Sequence, residues 1–273
     1  MTMDIVNGRR DGAQAAGADR PGARASGGGS GTTAPQTAPA GSTAPRRPFA
    51  QAGIRFDRSR FTDVLSACLG PSAAIQDACA QVVLDAPQWF VDFEAGTLSF
   101  GEVSYPVQLL GSESSADGTW MWGWNNINGF PASVLRVAEW VRGLGREWGL
   151  KELTTDCFPM TEGLSGPGLA AVATVLAPGS LCYYRGPYDG GAVLLAFSGL
   201  PGSVFAPVDA VRFSRILVEC LQVPCNHRIL TESFLAWNGT DYRWEGRRIT
   251  ARFPTELVIE FDESERLTRV ATA

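Results

Sequence analysis

The chain has 273 residues, of which 45% are hydrophobic and 19% charged, and its formal net charge is −5. These values exclude a membrane-spanning protein, a collagen, a coiled coil and a disulfide-stapled miniprotein. They are compatible with most enzymes and binding modules, so composition alone predicts no biochemical activity.

Residues 1–50 differ in composition from the rest of the chain. Ala, Gly, Pro, Ser and Thr occupy 33 of these 50 positions, and large apolar side chains are scarce. Such a segment buries too little apolar surface to offset the entropy cost of ordering it. The sequence therefore predicts a disordered N-terminal tail over 1–50 and a folded part over 51–273.

Charge divides at the same place. The tail has 6 Arg and 3 Asp, whereas residues 51–273 contain 17 basic and 25 acidic residues. The acidic folded part argues against duplex nucleic acid as its partner, and we expect an unknown protein or a small ligand instead. The sequence shows no secretory signal and no apolar run long enough to cross a bilayer, so we expect no membrane partner. The default location is the cytoplasm, where the six cysteines would be mostly reduced.

The first half of the folded part predicts a helix, then strands, then a second helix. Apolar residues at helical spacing predict a helix over 61–84, which Gly70-Pro71 breaks or kinks. The elements that follow are predicted as strands at 89–94, 97–100, 103–111 and 119–124, and as a helix at 131–148.

The second half predicts short helices between strand pairs. Helices are expected at 168–177, 207–221 and 226–237, and strands at 181–188, 192–198, 241–245, 247–253, 256–262 and 267–270. Because the strands come in consecutive runs without β-α-β alternation, we expect an α+β fold with largely antiparallel sheets packed by helices. The folded part is either one domain or two subdomains, at about 56–150 and 151–273.

The last long hairpin has a predicted register. A loop at Pro254-Thr255-Glu256 would pair Phe253 with Leu257 and Ala251 with Ile259, with one apolar face directed inward.

The stretch Thr119–Asn126 contains three tryptophans at alternate positions. In a strand, Trp120, Trp122 and Trp124 would share one face. One hypothesis is a stacking platform for a sugar, a base or a peptide, with Asn125, Asn126 and Asn128 at its rim. The other is a core strand beneath a helix, with the indole N–H groups bonded to backbone carbonyls.

The segment Leu109–Ser112, a polar turn and the tryptophan stretch together resemble an uncharacterised bacterial family. Members of this domain of unknown function share the pattern Leu-Gly-Ser…Thr-Trp-x-Trp-x-Trp-x-Asn, and the resemblance covers about residues 60–200. Here Asn125 stands where the family usually has a small residue. The resemblance implies a bacterial, soluble α+β protein and implies no activity.

No other group of residues in the sequence predicts a metal site, a dinucleotide site or a catalytic site. Cys220, Cys225 and His227 would need a fourth ligand to form a structural metal site, so we expect no metal. The Gly166–Ala171 stretch has the spacing of a dinucleotide motif without a preceding strand, and no serine stands out as a partner for His227. We therefore assign no catalytic residues and no cofactor.

Two main functional hypotheses remain, besides a third possibility of weak nucleic-acid binding through the arginine-bearing tail at 1–50. The first is a non-enzymatic, acidic, cytoplasmic module that binds a protein or a ligand. The alternative is an enzyme or small-ligand binder with a pocket lined by Trp120, Trp122 and Trp124. Exposure of the tryptophan face distinguishes them.

Overall fold

The structure, a computed structural model, describes residues 56–83 and 88–273. Those residues form six α-helices and two antiparallel sheets, which confirms the predicted α+β class. The predicted tail at 1–50 lies outside the described residues. Over the ranges just given, every helix is too short or too polar to cross a membrane.

The helices follow the predicted order, and side chains cap three of them. The Ser165, Asp209 and Asn226 side chains each accept a backbone N–H three residues ahead, as helix N-caps do. The helices are α1 (Phe61–Val83), α2 (Arg136–Trp148), α3 (Lys151–Thr154), α4 (Gly166–Leu176), α5 (Ala210–Cys220) and α6 (His227–Asn238).

Helix α1 is continuous through Gly70-Pro71, so of the two predicted alternatives the break is wrong and the kink stays a prediction. The helix is covered on several sides, because it packs against α4, α5 and α6. At Gly70 an added Cβ would lie 2.6 Å from Cγ of Phe234, so only glycine allows α6 to approach this closely. Tertiary packing therefore outweighs the backbone hydrogen bond that Pro71 removes.

The first sheet has seven strands around a long central strand. Strand β3 pairs with β2, β4 and β7, while β1 pairs with β2, β5 with β4 and β6 with β7, all antiparallel. The strands are β1 (Trp89–Asp92), β2 (Thr97–Phe100), β3 (Val103–Ser114), β4 (Thr119–Trp122), β5 (Cys157–Pro159), β6 (Cys182–Tyr188) and β7 (Gly191–Phe197).

A bulge in β3 changes which side chains face the helices. Leu109 pairs with Leu195, but Gly111 pairs with Leu194, so Leu110 is an extra residue on the β3 side. Leu109 therefore belongs to one core cluster and Leu110 to the other. Beyond the bulge, Gly111 and Glu113 lie on the same face as the cross-strand tryptophans.

The second sheet has four strands, and its main hairpin corrects the predicted register. Ala251 pairs with Leu257 and Ile249 with Ile259, so the pairing is shifted by two residues and the loop is longer. Phe253 leaves the strand and packs on Phe213. Because a two-residue shift preserves the side-chain alternation, the apolar face still points inward. The strands are β8 (Tyr242–Glu245), β9 (Arg248–Ala251), β10 (Leu257–Phe261) and β11 (Leu267–Thr272).

Two hydrophobic clusters fill the interior. The smaller one lies between β1–β2–β3 and β6–β7 and includes Phe100, Val107 and Phe197. The larger one lies between the sheets and the helices and joins Trp120 of the first half to Phe261 of the second. The two predicted subdomain ranges thus share one cluster.

Candidate functional site

The three tryptophans of the motif lie in the larger core cluster. Trp120 and Trp122 are 0% exposed and Trp124 is 8% exposed. Strand β4 ends at Trp122, and Trp124 lies in a short 3-10 helix at Gly123–Asn125. The predicted strand 119–124 is therefore shorter, although all three indoles still enter one cluster.

The indoles are held by packing and by a few polar contacts. The Trp120 and Trp122 rings meet edge to face at 5.2 Å, and Nε1 of Trp122 donates to the Glu152 carbonyl at 2.8 Å. The Arg142 guanidinium stacks over Trp124 at 4.0 Å. Within the described residues, Nε1 of Trp120 and Nε1 of Trp124 have no hydrogen-bond partner. No indole face in this arrangement is open to a ligand, which favours the core-strand hypothesis.

The close packing around Gly111 explains why the motif needs a glycine at this position. A Cβ at this position would contact the Trp120 ring, with Cε2 at 2.8 Å, and would lie 2.5 Å from the Met121 carbonyl oxygen. A Cβ added to Gly123 would likewise lie 2.7 Å from the Leu109 carbonyl oxygen. The glycines therefore let the tryptophans lie directly on neighbouring backbone.

The asparagines that follow the tryptophans have different roles. Asn126 has a left-handed backbone (φ 46°), and its side chain accepts from the Phe130 N–H and donates to the Phe130 carbonyl. These bonds close the loop 126–130. Asn125 and Asn128 are half-buried, and Ile127 between them is 60% exposed.

A narrow crevice lies on the opposite face of β4 from the core indoles. Its cavity volume is about 20 Å³, and it is lined by Met121 and the loop 126–130 over the sheet residues Ser112 and Val193. Of the predicted site residues, Asn128 and Trp122 line this crevice. Asn125, Trp120 and Trp124 do not line it. Alternation already places Met121 opposite the tryptophans, so the crevice follows from the pattern once the indoles are inside.

A polar hollow of about 450 Å³ contains part of the cysteine–histidine pattern. Cys225, His227 and Arg266 line it together with Glu265. Burial raises the pKa of Cys225 to about 11, so its thiol is protonated at neutral pH and is a poor nucleophile. Nδ1 of His227 accepts the Leu267 N–H at 2.9 Å, and burial together with Arg266 lowers the pKa of His227. Across the described ranges, no three His, Cys, Asp or Glu side chains are arranged to hold a metal ion.

Glu113 is a buried charged residue that the sequence reasoning did not single out. Its Oε2 accepts from Nε of Arg185 at 2.7 Å, and a Cβ added to Gly166 at the start of α4 would collide with the Glu113 carboxylate. A carboxylate at a helix N-terminus is stabilised by the exposed N–H groups and the helix dipole. The sequence carried no local signal for this residue, because Glu113 follows the predicted strand 103–111 in a polar stretch. Glu113 of β3 thus pairs with Arg185 of β6 and lies next to the first residue of α4.

The first half of the fold has an unbalanced charge pattern. Between Phe61 and Leu135 the sequence has eight acidic residues and no Lys, Arg or His. Glu94, Glu102 and Asp117 lie at turns of the first sheet, and Glu94 and Glu102 are exposed. Salt bridges among the described residues involve Asp77 and Glu113 but none of these three. This part of the surface is therefore negative and locally uncompensated.

Comparison with family models gives one match, to a family of unknown function (DUF6882), over residues 62–200. The match spans half of the chain and contains the whole of the first sheet. We call residues 62–200 the family region and residues 201–273 the C-terminal region. No curated protein and no solved structure matches the chain.

Proposed function

We propose that this chain, which belongs to a family of unknown function (DUF6882), is a non-enzymatic module that binds a basic protein partner. One observation carries this proposal. The family region has 14 acidic and 5 basic residues, and most of these acids have no ion-pair partner among the described residues.

The site chemistry supports binding over catalysis. Cys68 is buried in packing, and burial keeps the Cys225 thiol protonated at neutral pH. Glu113 is engaged by Arg185 and α4. Negative potential at an exposed surface increases the association rate and the selectivity for a cationic partner.

We further propose a bacterial, cytoplasmic setting and a single folding unit over 51–273. The six cysteines are all unpaired, as is usual in reducing compartments. The larger core cluster includes residues from both 56–150 and 151–273, which supports one unit over two.

The test is binding of a basic peptide by the full chain. A fluorescein-labelled peptide, Arg-Thr-Val-Thr-Arg-Thr-Val-Thr, is titrated with the protein, and anisotropy is read at several salt concentrations. We expect saturable binding that weakens with salt, because exposed charge pairs are screened. The same peptide with Glu in place of Arg should not bind.

Matched charge variants separate a specific surface from net charge. Glu94→Gln with Glu102→Gln should weaken binding about tenfold. Glu162→Gln with Asp189→Asn makes the same change in net charge at exposed sites elsewhere in the family region and should leave affinity nearly unchanged. Equal losses in the two double variants, or no binding of the Arg peptide, would contradict the proposal.

A further inference from the structure

We propose that the free edge of β1 is where the basic partner docks, as an extended segment that adds a strand to the first sheet. The proposal rests on the proposed function and locates it. It is carried by the exposed backbone of β1, by the side chains beside that backbone and by the local charge.

The backbone of β1 has unused hydrogen-bonding groups on one side. Strand β1 ends the sheet and pairs only with β2, with Trp89 opposite Phe100 and Val91 opposite Leu98. The Gly101 N–H bonds to the Gln88 carbonyl just before this ladder. Hydrogen-bonded pairs alternate in antiparallel strands, so the backbone groups of Trp89 and Val91 point away from β2. Among the described residues nothing pairs with that edge.

The edge is rigidly anchored from its inner face. The Trp89 ring lies against Gly186, where an added Cβ would be 2.6 Å from the indole, and it meets the Tyr184 ring at 5.5 Å. Val91 is buried in the smaller core cluster. A preformed edge of this kind reduces the entropy cost of adding a strand.

The outer face of the same strands has an apolar anchor in polar surroundings. Phe90 is 49% exposed and lies beside Ser99 and Ser104, whose hydroxyl groups hydrogen-bond to each other at 2.7 Å. Asp92 is two residues along and therefore on the same face as Phe90. An added strand would place alternate side chains about 5 Å from Phe90 and Asp92.

The charge beside this edge defines the partner. Asp92, Glu94 and Glu102 lie in or next to the three-stranded segment β1–β2–β3, and residues 61–135 contain no Lys, Arg or His. The segment that fits is therefore extended, with an apolar residue to pack on Phe90 and Arg or Lys two positions away to face Asp92. Exposed strand edges are recognised by other chains in this way.

The first experiment changes only the peptide backbone. Two versions of the Arg-Thr-Val-Thr peptide are N-methylated, one at the threonines and one at the arginines and valines. A strand uses the N–H groups of alternate residues along each edge, so we expect one version to lose at least about tenfold in affinity and the other to bind as the parent does. Equal affinities of the two versions would overturn strand addition.

The second experiment identifies the edge on the protein. Phe90→Ala should weaken peptide binding about fivefold, whereas Ile127→Ala, an exposed apolar residue elsewhere in the family region, should not. Hydrogen exchange by NMR should show the Trp89 and Val91 amides protected only when peptide is bound. Circular dichroism of each variant confirms that it folds.

The outcomes separate the two proposals. If the peptide binds and responds to Glu94→Gln with Glu102→Gln, but not to Phe90→Ala or to selective N-methylation, the proposed function stands and docking at β1 is wrong. If the Arg peptide does not bind at all, both fail.

Discussion

The family region and the C-terminal region differ in how far basic residues balance their acidic residues. The family region contains 14 acidic and 5 basic residues, whereas the C-terminal region contains 10 and 9. Of the thirteen salt bridges among the described residues, eleven involve at least one residue of the C-terminal region. These are the pairs made by Arg212, Arg215, Arg228, Arg243, Arg247, Arg248, Arg252 and Arg269.

Most acidic residues of the C-terminal region are paired within the protein, whereas most of those in the family region remain available to a partner. Exposed ion pairs such as Arg247–Glu263 contribute little stability, but they neutralise the surface on which they lie. The C-terminal region therefore presents little net charge to other molecules. The family region keeps its negative charge available, which is the basis of the proposed function.

The largest expected effect is a loss of stability in Gly111→Ala, which disrupts the packing of the core in the family region. Gly111→Ala introduces a Cβ between the Trp120 ring and the Met121 carbonyl, neither of which has room to move. We expect a loss of about 3 kcal/mol in the free energy of unfolding, measured with urea.

Gly143→Ala is the matched control for that variant. Its Cβ would meet nothing within 4 Å, and the residue lies inside α2. We expect a gain of about 0.5 kcal/mol from helix propensity. A similar loss in both variants would mean that close packing under Trp120 is unimportant.

The next effect tests the contact between the two regions. Gly70→Ala places a Cβ 2.6 Å from the Phe234 ring and should reduce the free energy of unfolding by about 2 kcal/mol. Adding Phe234→Leu to Gly70→Ala should cost less than the sum of the two single changes, because the smaller side chain relieves the clash. Strict additivity in this double-mutant cycle would show that the two positions do not interact.

A smaller effect compares two tryptophans of the same strand. Trp122→Phe leaves the Glu152 carbonyl without its donor, whereas Trp120→Phe removes an N–H that has no partner among the described residues. Both changes remove the same volume. We therefore expect Trp122→Phe to be more destabilising by about 1 kcal/mol in urea unfolding. The reverse order would contradict the assigned hydrogen bond.

The smallest effect belongs to the C-terminal region, which contains the only histidine. Burial and Arg266 lower the pKa of His227, so the unfolded chain takes up a proton at a higher pH than the folded one. The stability contribution is complete above the ordinary histidine pKa and decreases as the pH falls below it. The free energy of unfolding should therefore decrease between about pH 7 and pH 5.5, and His227→Asn should reduce that decrease. A wild-type profile that is flat in this window, or identical in the variant, would be the contrary result.

Local signals in the sequence predicted most of the elements. The helix at 226–237 was visible because Asn226 caps it and Gly239 ends it, and both caps occur in the structure. The strand at 97–100 has the predicted bounds. Such features depend on residues close together in the chain, where propensity and capping decide the outcome.

Features set by distant contacts were not predictable. Nothing near Leu110 in the sequence indicates a bulge, because the bulge is defined by the register against β7. The continuity of α1 depends on the packing of Gly70 against a helix about 160 residues later in the chain. The crevice was not predicted because both hypotheses for β4 concerned its tryptophan face, whereas the crevice lies on the opposite face. A strand pattern alone does not say which face is buried.

Helix α1 makes the family boundary a poor place to cut the protein. Along this one helix, the Ser66 hydroxyl accepts the Asn226 N–H, Gly70 touches Phe234, and Asp77 pairs with Arg212. All three partners lie after residue 200. A fragment ending there would keep α1 but expose its buried side to water, so it should aggregate or rearrange. We therefore expect the unit that folds cooperatively to extend beyond the family match at 62–200.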